Sequence, residues 1–401
     1  MIQDTTNALS LGSQGRAVIL ISSPHQLLHA LCALRYDRES RGIAYESPVT
    51  LVLWSYQSID HLPDSHTRQF FDTALKGFPF ITAMLPSLQE RKGPLSAYRR
   101  LMKRAEWLRA YLNVSPGECA TFYYAHDASS EHTAQAFMQA LLAHRNVCYG
   151  DSPGFLYPST RPHAPALDIS LGSLKALFWF NRVNIAGSWI AAETALTVVD
   201  FDDLDPALPC PTHTTIPIEI LWQTLAELKR FFTPALQLEQ QISTRSKTES
   251  IWVLILSNFT NSKLTCEQDE LELYQQICKE HVTPGGTVLI KKHAGTAATF
   301  VTQLLQRLDH YNAEKLPDSL DCLPIEFLGQ ILTSCNIISV SSASALLSLL
   351  PAPNLIHALT AENIQAFFKP AYKNYMTLAN EKILQQSKHT SPVLHHKPIK
   401  N

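Results

Sequence analysis

The chain has 401 residues, 45% of them hydrophobic, and carries 33 basic and 35 acidic side chains for a formal net charge of -2. This length is enough for two ordinary hydrophobic cores and is long for a single one. A charge balance so close to neutral supplies no global field for a polyanion, so nucleic acid is not expected as a partner.

The first sixteen residues, MIQDTTNALSLGSQGR, are polar and lack the basic start, apolar run and small-residue cleavage site of a signal peptide, so cytoplasmic residence is expected. Ala17 to Ile21 is an apolar, largely β-branched run that reads as a buried strand. Ser23 and Pro24 follow as N-cap and first helical residue, and Leu27, Leu28, Leu31 and Leu34 then recur at helical spacing. The alternation continues with strands at Val49 to Trp54, Phe80 to Leu85, Thr121 to Ala125 and Asn146 to Tyr149, and with helices around Ala97 to Leu112 and Ser130 to His144. Strands separated by helices imply a parallel sheet covered on both faces.

Leu171 to Ala192 is apolar but interrupted by Lys175 and Arg182, which makes it a poor membrane span. It reads as a buried inter-domain helix, with peripheral contact to an anionic membrane surface as the alternative. The Pro-rich stretch Asp200 to Pro217 has linker composition. After an amphipathic segment from Ile218 to Leu238 a second series begins. Its expected strands are Ile251 to Leu256, Gly286 to Ile290, Ile337 to Val340 and Asn354 to His357, and its helices are Glu267 to Glu280, Thr296 to Leu308 and Ala343 to Leu349.

The expected architecture is α/β, with two doubly wound Rossmann-like domains facing a central cleft. Residues 1–200 form the acceptor-side domain, 201–217 a linker, 218–370 the nucleotide-binding domain, and 371–401 a C-terminal helix and basic tail. The eight cysteines are scattered, with no C-x-x-C pair or zinc-type spacing, and read as reduced thiols.

Loops at the carboxyl ends of such strands are where chemistry collects. Ser22 to Gln26 follows the first strand and reads by itself as a helix cap. Tyr149 to Tyr157 places Asp151 in a turn opened by Gly150 and Gly154, either as a general base or as an Asx-turn. Lys291, Lys292 and His293 end a strand of the second series, a phosphate-holding set or a solvated basic turn. Ser341, Ser342 and Ser344 lie where a buried strand meets a helix. Asp200, Asp202, Asp203 and Asp205 superficially offer the paired carboxylates that bind manganese in one-domain glycosyltransferases, but they open a Pro-rich stretch and would leave the second sheet without a role.

The order of a Ser-Pro loop, a Gly-Asp turn, a Lys-His loop and a Ser-Ser helix start resembles the bacterial sialyltransferases and polysialyltransferases of GT-B fold. Ser-Pro-His-Gln-Leu-Leu at 23–28 and Leu323-Pro324-Ile325-Glu326 are similar to segments of the same family, so the resemblance runs from about Ala17 to Leu349. It implies an inverting, metal-independent transfer of a sialic-acid-like sugar from a CMP donor to a glycan hydroxyl in surface polysaccharide synthesis. CMP-sugar is then a co-substrate, and no cofactor is required.

On this resemblance Asp151 is the base and His293 the second catalytic residue. Lys292, Ser341, Ser342, Ser344, Asn258 and Glu326 bind the donor. Ser23, Gln26, His126 and Asp127 line the acceptor side, with His126 and Asp127 as a reserve acid/base pair. The chain departs from the family at Gly150, where a first acid precedes the aspartate, and at Ala294, where proline follows the histidine. CMP-linked Kdo, pseudaminic and legionaminic acids fit the same motifs. A catalytically silent nucleotide-sugar-binding protein of a polysaccharide-assembly complex is the alternative from another class.

Overall fold

The computed structural model describes residues 16–21, 23–53, 65–84, 106–125, 137–138, 140–150, 194–199, 213–293, 295–341 and 343–389, with 65–68, 234 and 386–389 described in backbone only. The chain divides into two compact units. Unit 1 runs to Leu236 and includes Cys322–Phe327; unit 2 holds Gln237–Asp321 and Leu328 onward.

Unit 1 is built on a parallel sheet of seven described strands: β1 (Arg16–Ile21), β2 (Val49–Leu53), β3 (Ile81–Met84), β4 (Cys119–Tyr124), β5 (Arg145–Cys148), β6 (Thr194–Thr197) and β7 (His213–Thr215), in the order β3-β2-β1-β4-β5-β6-β7. Val18, Ile19, Leu20 and Ile21 are wholly buried, as a continuous apolar run flanked on both sides requires. Helix α1 (Pro24–Ser40) is capped by the Ser23 hydroxyl, which accepts from Gln26 N–H, and it starts with proline.

Its polar residues are buried along with its leucines because each meets a partner. Arg38 donates to the carbonyls of Tyr45, Ser47 and Pro48. Asp37 accepts from Tyr123 Oη at 2.6 Å and pairs with Arg145. Arg35 stacks on Tyr45 and bonds Glu227 at 2.5 Å. This last bond ties α1 to helix α2 (Ile218–Lys229), which the sequence placed in the second domain. The boundary therefore falls at Leu236/Gln237 rather than at 217/218, and β7 lies inside the expected linker.

Unit 2 carries a parallel sheet of five described strands: β8 (Ile251–Ile255), β9 (Thr287–Lys291), β10 (Asn312–Lys315), β11 (Asn336–Ser339) and β12 (Leu355–His357), ordered β10-β9-β8-β11-β12. Helices α3 (Thr233–Arg245), α4 (Glu267–His281), α5 (Ala298–Arg307), α6 (Ala343–Leu347), α7 (Ala361–Phe367) and α8 (Pro370–His389) connect and flank it. Its core joins Leu254, Tyr274, Ile277, Val288, Ile290, Leu304 and Ile338.

Counted from its own first strand, each sheet begins 3-2-1-4-5, so with right-handed crossovers the helices fall on both faces. Two doubly wound, Rossmann-like units in tandem are the domain content of the GT-B class. In unit 1 the order reverses between β1 and β4, and in unit 2 between β8 and β11. These reversals mark where ligands enter such sheets. Among the described residues no helix is long and apolar enough to cross a membrane; Leu171 to Ala192 lies outside them.

Candidate functional site

In unit 2 three neighbouring strands deliver their exit loops together. Ile255 lies beside Lys291 on one side and Ser339 on the other, and Leu256 N–H bonds Lys291 C=O at 2.9 Å. With a strand spacing of about 4.8 Å, the loops after β9, β8 and β11 leave the sheet within about 10 Å of one another.

The β9 loop rests on a buried carboxylate. Asp321, at the end of a one-turn helix Asp318–Asp321, accepts from Lys292 N–H at 3.0 Å and lies 4.0, 4.0 and 3.5 Å from the ammonium groups of Lys291, Lys292 and Lys315. Lys291 also donates to the Asp321 carbonyl at 2.6 Å. Burial pushes the Asp321 carboxyl above its ordinary value, although the three lysines and the Lys292 N–H oppose that shift. Burying the anion thus costs more than its partners return, which suits a group whose task is to fix a loop.

At the loop's tip His293 Nδ1 accepts from Gly295 N–H at 3.0 Å, so the proton of the neutral ring sits on Nε2. Gly295 packs closely on Asn258: an added Cβ would lie 2.5 Å from Asn258 Nδ2, so that the amide would have to move. Its carbonyl also accepts from Asn261 Nδ2 at 2.5 Å. Asn258 and His293 thereby share one small patch.

The β8 loop has its own supports. Ser257 N–H donates to Tyr274 Oη at 2.6 Å, while Phe259 and Thr260 N–H donate to Glu270 at 3.3 and 2.7 Å. Burial raises the Glu270 carboxyl above its ordinary value against these bonds. At the β11 exit Ser341 is half-buried and its carbonyl accepts from Ser344 N–H at 3.0 Å. The buried Ser344 hydroxyl meets His357 Nδ1 at 2.7 Å, and His357 Nε2 meets Asn380 Oδ1 at 2.6 Å. Because Asn380 Nδ2 donates to Leu359 C=O, its oxygen faces the ring. His357 Nε2 then carries the proton, and Ser344 donates to Nδ1. Ser344 is accordingly engaged in anchoring α6 to β12 and α8.

In unit 1 the loop after β1 holds Ser23 as helix cap and Gln26 buried in the first turn. Glu326, expected among the donor-binding residues of the second domain, belongs instead to the segment that packs with unit 1, where its carboxylate lies 3.6 Å from His25 Nδ1. Tyr149 Oη donates to Leu20 C=O at 2.7 Å, tying the β5 exit to β1, and Gly150 takes φ +31. Asp151, Ser342, His126 and Asp127 lie outside the described residues, as do Ala294 and the Asp200 to Asp205 cluster.

No protein-family model matches the chain, and no curated protein matches its sequence. Solved structures similar to it include the UDP-GlcNAc 2-epimerase of Neisseria meningitidis bound to UDP-GlcNAc, at 11% identity over 92% of this chain and 100% of that one, with a TM-score of 0.46. Others are E. coli ADP-heptose LPS heptosyltransferase II, at 12% identity over 93% and 99% with a TM-score of 0.34, and Phytolacca americana UGT2 complexed with UDP-2fluoro-glucose and pterostilbene, at 10% identity over 96% and 96% with a TM-score of 0.40. The likeness is one of fold alone. It assigns no substrate and no residue role.

Sequence reasoning missed the contact of His25 with Glu326 and the loop supports Asp321 and Glu270. His25 stands inside the Ser-Pro-His-Gln segment already singled out, whereas Asp321 and Glu270 acquire their roles only through contacts across the fold.

Proposed function

We propose that the chain is a glycosyltransferase that takes a sialic-acid-like sugar from a CMP donor and places it on a glycan hydroxyl. The observation that carries this reading is the grouping of Lys292, His293, Asn258 and Ser341 on three adjacent strand exits at the switch point of unit 2. An ammonium, an imidazole N–H, an amide and a hydroxyl together offer donors to a phosphate and to the charge that grows on it as the glycosidic bond breaks.

In the reaction the acceptor hydroxyl attacks the anomeric carbon and loses its proton to a base. The bond from that carbon to the phosphate oxygen breaks, CMP leaves with the electron pair, and the configuration inverts. The family resemblance names Asp151 as the base. Neutralisation of the leaving phosphate by protein donors makes a metal unnecessary in this scheme. The CMP and nonulosonate specificities rest on the resemblance, and the phosphate chemistry rests on the site.

The test begins with thermal stabilisation by CMP against UDP, GDP and ADP. A ligand at a hundred times its Kd stabilises by about 2.7 kcal/mol. CMP is expected to raise the melting temperature of the wild type and to do so less in His293→Ala. With CMP-sialic acid and a glycan panel, His293→Ala is expected to lose roughly 10²- to 10³-fold in kcat, the typical loss for one preorganised donor. Preference for UDP or ADP would redirect the donor assignment. Failure to release any nucleotide would favour a silent binding protein, and abolition of turnover by EDTA would remove the metal-free scheme.

A further inference from the structure

His357 is the last residue of β12 and is aligned with Ser339 of β11, so its ring stands one strand away from the exit that carries Ser341. Both of its nitrogens are engaged. Nδ1 is 2.7 Å from the Ser344 hydroxyl, Nε2 is 2.6 Å from Asn380 Oδ1, and Asn380 Nδ2 donates to Leu359 C=O at 2.9 Å. Ser344 is wholly buried and Asn380 is 5% exposed, so neither has water to exchange for these partners.

The direction of the bonds decides what a change of charge does. Since Asn380 turns its oxygen to the ring, Nε2 carries the proton of the neutral imidazole and Nδ1 accepts the proton of Ser344. Ser344 N–H donates to Ser341 C=O at 3.0 Å, which closes the turn that opens α6 on the residue at the strand exit. One line of hydrogen bonds thus runs from α8 through His357 to Ser344 and on to Ser341. All four residues belong to unit 2.

A proton added to His357 goes to Nδ1, the nitrogen that holds the lone pair. Ser344 O–H then loses its acceptor where water does not reach, and a buried hydroxyl without a partner is costly. The groups bordering the ring are uncharged: Ser344 from α6, Asn380 from α8, and from β11 Ser339, itself wholly buried with its hydroxyl unbonded among the described residues. Burial lowers the histidine pKa, and the Asn380 hydrogen bond opposes it. With no anion beside the ring to stabilise an imidazolium, relief comes by movement of the Ser344 turn.

We propose that His357 and Asn380 are positioning residues for the donor end of unit 2: the neutral imidazole holds the turn from Ser341 to Ser344 in its nucleotide-binding form, and uptake of a proton releases it. This rests on the reading of Ser341 as a donor-binding residue. It adds to that reading a dependence of nucleotide affinity on acidity and a task for the C-terminal helix α8.

The experiment follows affinity by calorimetry between pH 7.5 and 5.0 in the full chain, for wild type, His357→Gln and Asn380→Asp. The probe is whichever of CMP, UDP, GDP and ADP stabilises the wild type most against heat. Protonation of the nucleotide and of other groups near it is common to the three proteins, so the difference between their pH profiles isolates His357. Wild type is expected to lose at least about threefold more affinity than His357→Gln over this interval, with an upper limit of roughly 30-fold set by the fraction of an ordinary imidazole still neutral at pH 5.0. Asn380→Asp places an anion at Nε2, favours the imidazolium and should move the loss of affinity to higher pH. Residues that only brace the fold would lower affinity by the same factor at every pH.

Ring-nitrogen NMR of the wild type reads the same coupling without a substitution. Saturating nucleotide should lower the midpoint of His357 by about 0.5 or more, the reciprocal of a threefold change in affinity, whereas the field of a bound phosphate alone would raise it. A wild-type loss within about 1.5-fold of that in His357→Gln, or a midpoint that rises on binding, overturns the proposal. If none of the four nucleotides stabilises the wild type at pH 7.5, the donor-binding reading of Ser341 fails first, and the proposal falls with it.

Discussion

Replacing His357 by Gln is expected to make the second unit less sensitive to acid. The imidazole is enclosed between Ser344 and Asn380, and burial lowers its pKa below the ordinary histidine value against the Asn380 hydrogen bond. A folded pKa below the unfolded one means that the unfolded chain binds more protons in the window between them, so stability is present above the unfolded pKa and is lost as pH falls. Going from pH 7.5 to 5.5 therefore costs stability from this one residue, with an upper limit of about 1.4 kcal/mol set by an unfolded pKa of about 6.5. Other histidines add their own slopes, so the informative quantity is the difference between wild type and His357→Gln. Urea denaturation at both pH values, followed by the emission of Trp252, which packs against the unit 2 core, in a background whose other five tryptophans are replaced by phenylalanine, supplies it. The variant is expected to lose up to about 1.4 kcal/mol less than the wild type over this interval. Equal losses, within about 0.3 kcal/mol, would refute a neutral, buried His357 as the anchor of the serine loop.

Gly295→Ala should push its new methyl into Asn258 and displace the amide or the His293 loop, weakening CMP binding about tenfold by calorimetry, or about 1.4 kcal/mol. Asp321→Ala removes the carboxylate facing three lysines and the acceptor of the Lys292 N–H. A loss near 3 kcal/mol in urea denaturation is expected, at the low end for a broken buried pair because Lys291 keeps the Asp321 carbonyl and the other two lysines are one-third exposed. Asp321→Asn retains an acceptor for that N–H and should lose less. Among the described cysteines, alkylation at pH 8 should label exposed Cys266 first, while Cys32, Cys119 and Cys278, each buried and pushed up to about 12, resist until the chain unfolds; peptide mass mapping distinguishes them.

The two-sheet plan was legible because its central strands are continuous apolar runs. AVILI, VTLVL and IWVLI can only be buried, and helical spacing between them implies crossovers. Three other strands, β6, β7 and β10, were not legible. NAEK at 312–315 alternates exposed and half-buried residues, and TALT and HTT are too short to show a period, so each is a strand only by pairing with a neighbour. The boundary was misplaced for a related reason. Proline content suggested a linker at 200–217, but α2 is held to unit 1 by Arg35 and Glu227, residues far apart in sequence. Of the site, the strand-exit loops were visible as Lys-His and Ser-Ser signatures. Their supports were not, since a buried Asp321 or Glu270 looks like any helical acid until its partners are known.

The segment Cys322–Phe327 carries the largest departure from the sequence reading. Asp321 braces the Lys292–His293 loop of unit 2, and Glu326, five positions on, lies beside His25 in unit 1. Phe327 decides whether the stretch stays seated, because its ring is wholly buried and meets Phe70 and Phe232, which themselves stack at 5.2 Å. Phe327→Ala should therefore destabilise unit 1, although the residue lies well past the end of that unit's main span. The expected cost is about 3 to 5 kcal/mol, the range for emptying a packed aromatic site. Hydrogen exchange of the β1 amides at fixed pH measures it in the unit concerned, and a tenfold faster exchange corresponds to about 1.4 kcal/mol. If β1 exchange is unchanged while unit 2 is destabilised, the segment belongs energetically to the second unit, and the placement of Glu326 beside His25 loses its support.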